Sequence, residues 1–288
     1  MELVLVAGAT GQLGRFVVRE LRARGYRVRA LTRAPERLAA LGVEADEAAR
    51  GDLLDPHSLD AACAGVDVVL SCAGASMSLD DFRDRRSFLA VDWEGNRSLL
   101  HAAKAAGARK FVYVSVFGGE AMPGEEYTAA HERFVAELAR SGVAHTIVRP
   151  TGFFSFFGEV ARMAKKGIGP VIGSGEPRTN PIHEADLAAV CADAVASTER
   201  EIAAGGPDVL TRREIVETAF RAAGRAPRII RVPPAVFRGI AAVTRPFNPR
   251  LAALLSFGAA VSLVDCVAPV RGARRLEDYF REIVDSDR

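Results

Sequence analysis

Short apolar runs alternate with helix-like segments through the first half of the chain. Residues Leu3–Ala7 are continuously apolar, which is typical of a strand buried on both faces of a parallel sheet. Gln12–Arg24 follows with apolar residues at the spacing of a helix that packs on such a sheet. The same alternation continues to Arg149 and predicts a doubly wound, parallel α/β sheet with right-handed crossovers.

The pattern also gives bounds for the other elements of this half. Further strands are predicted at Arg27–Thr32, Val66–Cys72, Lys110–Val116 and Val143–Arg149. Further helices are predicted at Ala34–Leu41, Ser87–Ala106 and Glu126–Ser141. A third strand is expected within residues 42–50, where carboxylates indicate the edge of the sheet, because charge there discourages pairing with other molecules.

The regular alternation fades after Pro150. Helices are predicted at Phe153–Lys166, Ala185–Ser197 and Thr211–Ala223, the last opening with a capping box. The tail from Pro233 onward is helical and apolar. We therefore expect a sheet domain at residues 1–150 and a smaller, mainly helical substrate lobe at residues 151–288, packed on the sheet and partly interleaved with it.

A glycine-rich loop joins the first strand to the first helix. Its candidate binding residues are Gly8, Thr10, Gly11, Gln12, Leu13 and Gly14. Glycines allow a tight turn and a close approach of the backbone, and the start of a helix offers free N–H groups to a diphosphate. Between a buried strand and a helix, this pattern predicts a dinucleotide-binding Rossmann domain. The alternative is a structural turn rich in glycine.

The end of the second strand indicates which dinucleotide is bound. A cofactor with a free ribose 2′-hydroxyl is normally held there by a carboxylate, but the sequence has Thr32 and Arg33. The planar guanidinium of Arg33 suits a 2′-phosphate, so NADP(H) is predicted over NAD(H). The alternative is an ordinary solvated arginine.

Several motifs together resemble a known family. They are Gly8–Gly14, Gly51–Leu53, Val91–Asn96 and Ile147–Pro150. The chain resembles the atypical short-chain dehydrogenases/reductases, and among them the NmrA-like NAD(P)-binding group that includes divinyl chlorophyllide reductases and quinone oxidoreductases. The resemblance covers about residues 2–200 and implies this fold and this class of cofactor.

The resemblance also assigns further residues to the cofactor. Those implied are Asp52 and Leu53 at the adenine, then Ser71, Cys72, Ala73 and Gly74 beside the ribose and diphosphate, and finally Ser115, Pro150 and Phe153 near the nicotinamide. Each segment follows or closes a predicted strand, where ligands of doubly wound sheets bind.

Tyr127 and His131 are the candidate catalytic residues. The resembled family transfers protons with a tyrosine, a lysine four residues later and a serine, and His131 stands at the lysine position. An imidazole with an ordinary pKa of about 6.5 does not supply the constant charge of a lysine at pH 7. Val116 stands where the serine is expected. Structural alternatives are a packed aromatic ring for Tyr127 and a hydrogen-bonded side chain for His131.

Four phenylalanines at positions 153, 154, 156 and 157 follow the predicted nicotinamide edge and indicate an apolar pocket. The leading hypothesis is an NADPH-dependent oxidoreductase of a small apolar carbonyl, quinone or alkene. The alternatives are a nonenzymatic dinucleotide sensor and, more weakly, a nucleotide-sugar epimerase, which relies on the missing tyrosine–lysine pair. His183 and Asp186 begin a helix, where they either cap it or approach the substrate.

Charge and cysteine content exclude other classes. With 38 basic and 36 acidic residues, the net charge of +2 gives no footprint for nucleic acid. The four cysteines lack the spacing of a zinc site, so free thiols and no metal centre are expected. The absence of a leader or of an apolar stretch of about 20 residues predicts a cytoplasmic protein. The apolar C-terminal helices are expected to pack in the core, to form a homodimer or to rest on a membrane.

Overall fold

A sheet of seven parallel strands forms the centre of the protein. The structure is a computed structural model that describes residues 1–78 and 84–286. In spatial order the strands are β3 (Glu47–Arg50), β2 (Arg27–Thr32), β1 (Leu3–Ala7), β4 (Val68–Ser71), β5 (Lys110–Val114), β6 (Ala144–Pro150) and β9 (Glu201–Ala204). Each neighbouring pair is parallel, which confirms the predicted doubly wound Rossmann sheet.

Helices cover both faces of this sheet. One face carries α1 (Gln12–Ala23) and α6 (Glu184–Ala196), and the other carries α2 (His57–Cys63), α3 (Asn96–Ala105) and α4 (Glu126–Arg140). The side chains of β1 alternate between the two cores, and all five of its residues are buried. This double burial explains why the strand is a continuous apolar run rather than an alternating one.

Some predicted elements differ from the structure. The polar strand β3 lies at the sheet edge as expected, with Glu47 paired to Arg27 and Arg29 of β2. The predicted helix Ala34–Leu41 is wrong, since the segment forms two short 3-10 turns. It is too short, between Pro35 and Gly42, to repay the cost of starting an α-helix. The predicted helix Ser87–Ala106 begins with a π-helical stretch at 89–95 before α3.

The second half of the chain also contributes to the sheet. Strand β9 pairs with β6 and forms the edge opposite β3, and α6 packs against α1. The helical pattern of α6 was predicted from the sequence, whereas β9 was not, because four residues with a single-face pattern give little periodic signal.

A separate hydrophobic cluster lies in the C-terminal lobe. It is built mainly from α5 (Phe154–Lys165), α7 (Arg212–Ala222) and α10 (Leu276–Ser286). Two small sheets complete the lobe, one pairing β7 (Gly169–Ile172) with β11 (Ile229–Val232) and the other pairing β8 (Arg178–Thr179) with β10 (Leu210–Thr211). Helix α7 begins with the predicted capping box.

Helices α8 (Pro234–Thr244) and α9 (Pro249–Val261) form a hairpin, and α9 packs on α4. The Arg250 side chain of α9 is fully buried and donates from Nε to the carbonyl oxygen of Asp84, 2.7 Å away. Its Nη1 donates to the carbonyl oxygens of Ser76 and Ser78. This arginine therefore ties α9 to the loop that follows β4. Within residues 1–78 and 84–286, no helix has the length and apolar character needed to cross a bilayer.

Candidate functional site

The loops that follow β1 and β4 lie in backbone contact at the carboxyl edge of the sheet. Gly8 has a φ of 84°, and a Cβ placed on it would lie 2.8 Å from the carbonyl carbon of Cys72. A Cβ on Gly14 would lie 2.0 Å from the carbonyl oxygen of Gly8. Neither position accepts a side chain, so these glycines are required by the closeness of the loops.

The start of α1 faces this junction with uncapped amide groups. Gly11 is the N-cap, its N–H donates to the carbonyl oxygen of Gly8 at 2.9 Å, and it has no side chain to cap the first turn. Gln12 is exposed, whereas Leu13 is buried in the core and supports the loop by packing. Thr10 is half-buried. Free N–H groups at a positive helix end fit the diphosphate of a dinucleotide.

The end of β2 carries the guanidinium predicted to read the cofactor. Arg33 is exposed, and within the described part of the chain its side chain forms no ion pair. Its carbonyl oxygen accepts from Nη1 of Arg50 at 2.8 Å, and Arg50 also pairs with Glu36 at 2.9 Å. Thr32 is buried, with its hydroxyl accepting from the N–H of Ala34. Sequence reasoning missed Arg50, which the register of β3 brings beside Thr32.

Asp52 and Leu53, implied to meet the adenine, form the turn after β3. Oδ1 of Asp52 accepts from the N–H of Leu54 at 3.0 Å, and its own N–H donates to the hydroxyl of Ser58 at 2.9 Å. Leu53 packs closely on Gly95: a Cβ placed on Gly95 would lie 2.9 Å from the Cβ of Leu53. The turn is therefore held firmly, with Asp52 half-buried beside it.

The segment Ser71–Gly74 is held in place by the buried side-chain amide of Asn96. The Ser71 hydroxyl donates to Oδ1 of Asn96 at 2.5 Å, and Nδ2 of Asn96 donates to the carbonyl oxygen of Ala73. The N–H of Cys72 donates to the carbonyl oxygen of Ala7, and burial raises the pKa of the Cys72 thiol to about 12. Ser71 thus supports the loop from within the core, and the Cys72 thiol stays protonated.

Asp92 connects this loop to the candidate catalytic helix. Its side chain is 1% exposed, and Oδ2 accepts from the N–H of Ala75 at 2.9 Å. Oδ1 lies 3.3 Å from Nε2 of His131, without hydrogen-bond alignment. A Cβ on Gly74 would lie 2.6 Å from this oxygen. Sequence reasoning quoted the motif that contains Asp92 and Asn96 but gave neither residue a role.

His131 is buried between two polar partners. Its Nδ1 lies 2.6 Å from the hydroxyl of Tyr113, a fully buried residue of β5. The nearby carboxylate of Asp92 favours the tautomer with a proton on Nε2, so the Tyr113 hydroxyl donates to Nδ1. Both ring nitrogens therefore face protein groups. The only sequence signal for Tyr113 was a polar-tipped ring inside a buried strand.

Tyr127 lies one turn before His131 on α4 and is enclosed by rings. Its ring meets Phe88 at 5.2 Å, His131 at 4.7 Å and Phe257 of α9 at 4.6 Å between centroids. Burial, and then the charge of Asp92, hold the pKa of the Tyr127 phenol well above its usual range. The phenol is therefore a persistent proton donor rather than a base.

Ser115 directly follows β5, and Pro150 is the last residue of β6, so both lie at the same edge of the sheet. The Ser115 hydroxyl is buried and has no hydrogen-bond partner among the described residues. Pro150 accepts from the N–H of Phe117 at 2.9 Å. An orphaned hydroxyl inside a protein normally signals a missing ligand or water. Together with the loop glycines, it shows that the residues at this edge fit a dinucleotide.

The phenylalanines after β6 divide between two tasks. Phe153 and Phe156 stack at 5.2 Å, and Phe156 is 42% exposed. Phe154 and Phe157 pack into the cluster of the C-terminal lobe. Of the four, Phe156 is the exposed one, and Phe153 is half-buried against the core that contains α1 and α6.

His183 and Asp186 act within the fold. Nδ1 of His183 caps α6 by accepting from the N–H of Ala185 at 3.0 Å, and burial lowers its pKa. Oδ2 of Asp186 accepts from the N–H groups of Ala273 and Arg274, each at 2.8 Å. The capping interpretation is confirmed for His183, and Asp186 anchors the segment that leads into α10.

Two buried serines provide a matched test of the orphaned hydroxyl. Ser115→Ala should leave the free energy of unfolding unchanged or raise it by up to about 1 kcal/mol, because no hydrogen bond is lost. Ser71→Ala should lower it by about 1–3 kcal/mol, because Asn96 loses its partner. Urea denaturation measures both. An equal loss in the two variants would show that the Ser115 hydroxyl is satisfied in the folded chain.

Comparison with known proteins gives a family and several relatives. Residues 8–198 match the model of the NAD(P)H-binding family. The divinyl chlorophyllide a 8-vinyl-reductase, chloroplastic, of Cucumis sativus is 32% identical over 255 residues, which cover 80% of this chain and 59% of that protein. The chain thus spans about three fifths of the length of this plant reductase. Because that relative is named as chloroplastic, a cytoplasmic location for this chain stays a prediction.

A second relative covers nearly the whole chain. The photosystem II assembly factor Ycf39 of Synechocystis sp. is 27% identical over 305 residues, covering 97% of this chain and 90% of its own length. Among solved structures, the NADPH-dependent quinone oxidoreductase QOR2 of Escherichia coli in complex with NADPH has a TM-score of 0.74 at 22% identity, covering 97% of this chain and 99% of its own.

The triphenylmethane reductase of Citrobacter sp. has the same fold, with a TM-score of 0.79 at 17% identity, covering 99% of this chain and 100% of its own. The glycine cradle, the uncapped start of α1 and the match over residues 8–198 agree with one another. The chain belongs to the NAD(P)H-binding family, in its NmrA-like group of atypical short-chain dehydrogenases/reductases.

Proposed function

We propose that this protein is an NADPH-dependent oxidoreductase that reduces a small apolar carbonyl, quinone or alkene. The observation that carries the proposal is the position of the Tyr127 phenol, which is enclosed by aromatic rings and joined by side-chain contacts to the loop after β4. Gly74 lies against Asp92, Asp92 against His131, and His131 against Tyr127. Two side chains, Asp92 and His131, therefore connect the loop after β4 to Tyr127, the proposed proton donor.

The direction of proton transfer supports reduction. Bound NADPH would supply a hydride, and the product then needs a proton. Because the pKa of Tyr127 is held above its usual range, its hydroxyl stays protonated at neutral pH and donates only to a strongly basic atom. An alkoxide, or the carbanion left by hydride addition to an activated alkene, is basic enough. In the resembled family the lysine lowers the pKa of the tyrosine. In this chain burial and the charge of Asp92 raise the pKa of Tyr127.

His131 acts in this proposal as a positioning residue. Its two nitrogens face Tyr113 and Asp92, and the edge of its ring contacts Tyr127. Neither ring nitrogen is therefore directed at the Tyr127 hydroxyl. Its contacts fix the orientation of the Tyr127 ring instead.

The lining favours an apolar substrate. Phe88 and Phe257 flank Tyr127, and the stacked pair Phe153 and Phe156 follows the end of β6. The supporting relatives are named as reductases, of a divinyl chlorophyllide in the plant protein, of quinones and of triphenylmethane dyes in the two proteins of the same fold.

A dinucleotide-binding partner protein without turnover is the second candidate. The absence of a lysine at position 131 favours it, as does the resemblance over 97% of the chain to a protein named as an assembly factor. A nucleotide-sugar epimerase is less favoured, because that chemistry uses the tyrosine–lysine pair and this chain has His131 at the lysine position.

The choice of cofactor is tested at Arg33. Arg33→Ala should weaken NADPH binding roughly tenfold to a hundredfold, because a charge-assisted contact to the 2′-phosphate is lost. NADH, which lacks that phosphate, should bind as before. Fluorescence titration of both nucleotides measures the effect. The control is Arg109→Ala, an exposed arginine before β5 at the opposite edge of the sheet. Equal weakening of NADPH and NADH would refute the role of Arg33.

The role of the phenol is tested at Tyr127. Tyr127→Phe should lower kcat for NADPH-dependent reduction of ketones and enones by about a hundredfold or more, with NADPH affinity unchanged. Wild-type kcat should not fall through loss of the phenol proton below about pH 10, since the pKa of Tyr127 lies above its usual value.

The matched control is Tyr26→Phe, a half-buried tyrosine that packs against the other core. Turnover in the Tyr127 variant equal to that of wild type would remove Tyr127 from the chemistry. Tight NADPH binding with no turnover of any acceptor by the wild type would favour the second candidate.

A further inference from the structure

The outer face of α8 is apolar and uncovered. Val236, Ile240 and Val243 of α8, and Phe247 in the turn just after it, are spaced by three or four residues, and their exposed fractions are 46%, 48%, 73% and 74%. Ala241 is the one buried residue of α8, with 7% of its surface exposed. A continuous apolar stripe this exposed is rare on a protein that meets only water, and it marks an interaction surface.

The charged residues in the chain around α8 are all positive. Residues 218–264 contain seven arginines and no aspartate or glutamate, although the whole chain has a net charge of only +2. Arg221 pairs with Glu277, and Arg250 is buried. The remaining five are exposed and form no ion pair with any residue the structure describes: Arg225, Arg228, Arg231, Arg238 and Arg245. Their positive charge is therefore available to a partner.

We propose that the apolar face of α8 docks on an anionic membrane surface. A helix lying in the interface buries its apolar face among the acyl chains while basic residues meet the headgroups. Arg238 and the C-cap residue Arg245 are seven residues apart and lie together on the side of α8 opposite to the apolar stripe. The helix is only about 10 Å across, so these charges stay within roughly one Debye length of the headgroups.

The charge pattern favours a bilayer over a second copy of this chain. An isologous contact between two α8 faces would bring two uncompensated arginine-rich segments together, and like charges oppose that contact. An anionic bilayer supplies an apolar layer and negative charge at once. Because α8 packs on α9, whose Phe257 contacts Tyr127, docking would bring the helical cover of the candidate site to the lipid surface.

Vesicle flotation tests the proposal on the full chain. The wild type should float with phosphatidylcholine vesicles that contain phosphatidylglycerol, and should stay behind with phosphatidylcholine alone. Added salt should release it. Val243→Asp should weaken binding about tenfold or more, because a carboxylate enters the apolar face near anionic headgroups. Val209→Asp, at a valine that is 45% exposed outside α8, should bind as the wild type does.

A second variant keeps the test independent of folding defects. Arg238→Gln with Arg245→Gln leaves the apolar face intact and should also weaken binding about tenfold. Thermal unfolding confirms that each variant is folded. Equal flotation with both vesicle types, or full binding by both the Val243 and the arginine variants, overturns the proposal. A wild-type dimer in sedimentation velocity that Val243→Asp dissociates would assign the face to a second copy instead. None of these readouts depends on catalytic activity.

Discussion

The backbone of the first loop lies so close to the loop after β4 that no side chain fits between them. A Cβ on Gly8 would meet the carbonyl of Cys72, and one on Gly14 would meet the carbonyl of Gly8. This closeness brings the start of α1 to the sheet edge with its N–H groups free. Every assignment made to the cofactor depends on that arrangement, because the remaining residues are placed relative to it.

The loop after β4 is joined to α4, the helix that carries Tyr127 and His131, by a buried carboxylate. Asp92 accepts a hydrogen bond from the N–H of Ala75 and faces His131. It also lies so close to Gly74 that a Cβ on Gly74 would meet its carboxylate. A buried charge is costly unless it is met by donors, so this network orders both the loop and α4. At the position where the resembled family has a lysine, this chain has a histidine that is held by the Tyr113 hydroxyl and whose ring contacts that of Tyr127.

Local signals made most of the sheet predictable. The continuous apolar run of β1, the glycines after it and the polar edge strand β3 each carry their meaning within about ten residues of sequence. The network around His131 was not predictable in the same way, because Asp92 and Tyr113 reach it from other elements. Strand β9 was missed for a similar reason, since its place is set by pairing with β6 and not by its own four residues.

The exposure of side chains was the other feature that sequence left open. The apolar tail was compatible with a core, a dimer seam or a membrane contact. The structure separates its first two helices: α9 packs on α4 and is bonded through the buried Arg250 to the loop after β4, whereas α8 carries most of the exposed stripe. The phenylalanines after β6 divide likewise, because the turn into α5 directs Phe154 to the lobe and leaves Phe156 exposed.

The most direct measurement is calorimetric titration of NADPH into the wild type and into Gly11→Asp. Gly11 has ordinary extended backbone angles and aspartate is a favoured N-cap, but a Cβ there would lie 3.2 Å from the carbonyl oxygen of Gly8, so the variant should fold with close to wild-type stability. Its carboxylate would occupy the free N–H groups and repel the diphosphate. The account predicts binding by the wild type and none by the variant. No NADPH uptake by the wild type, or equal uptake by both, would contradict it.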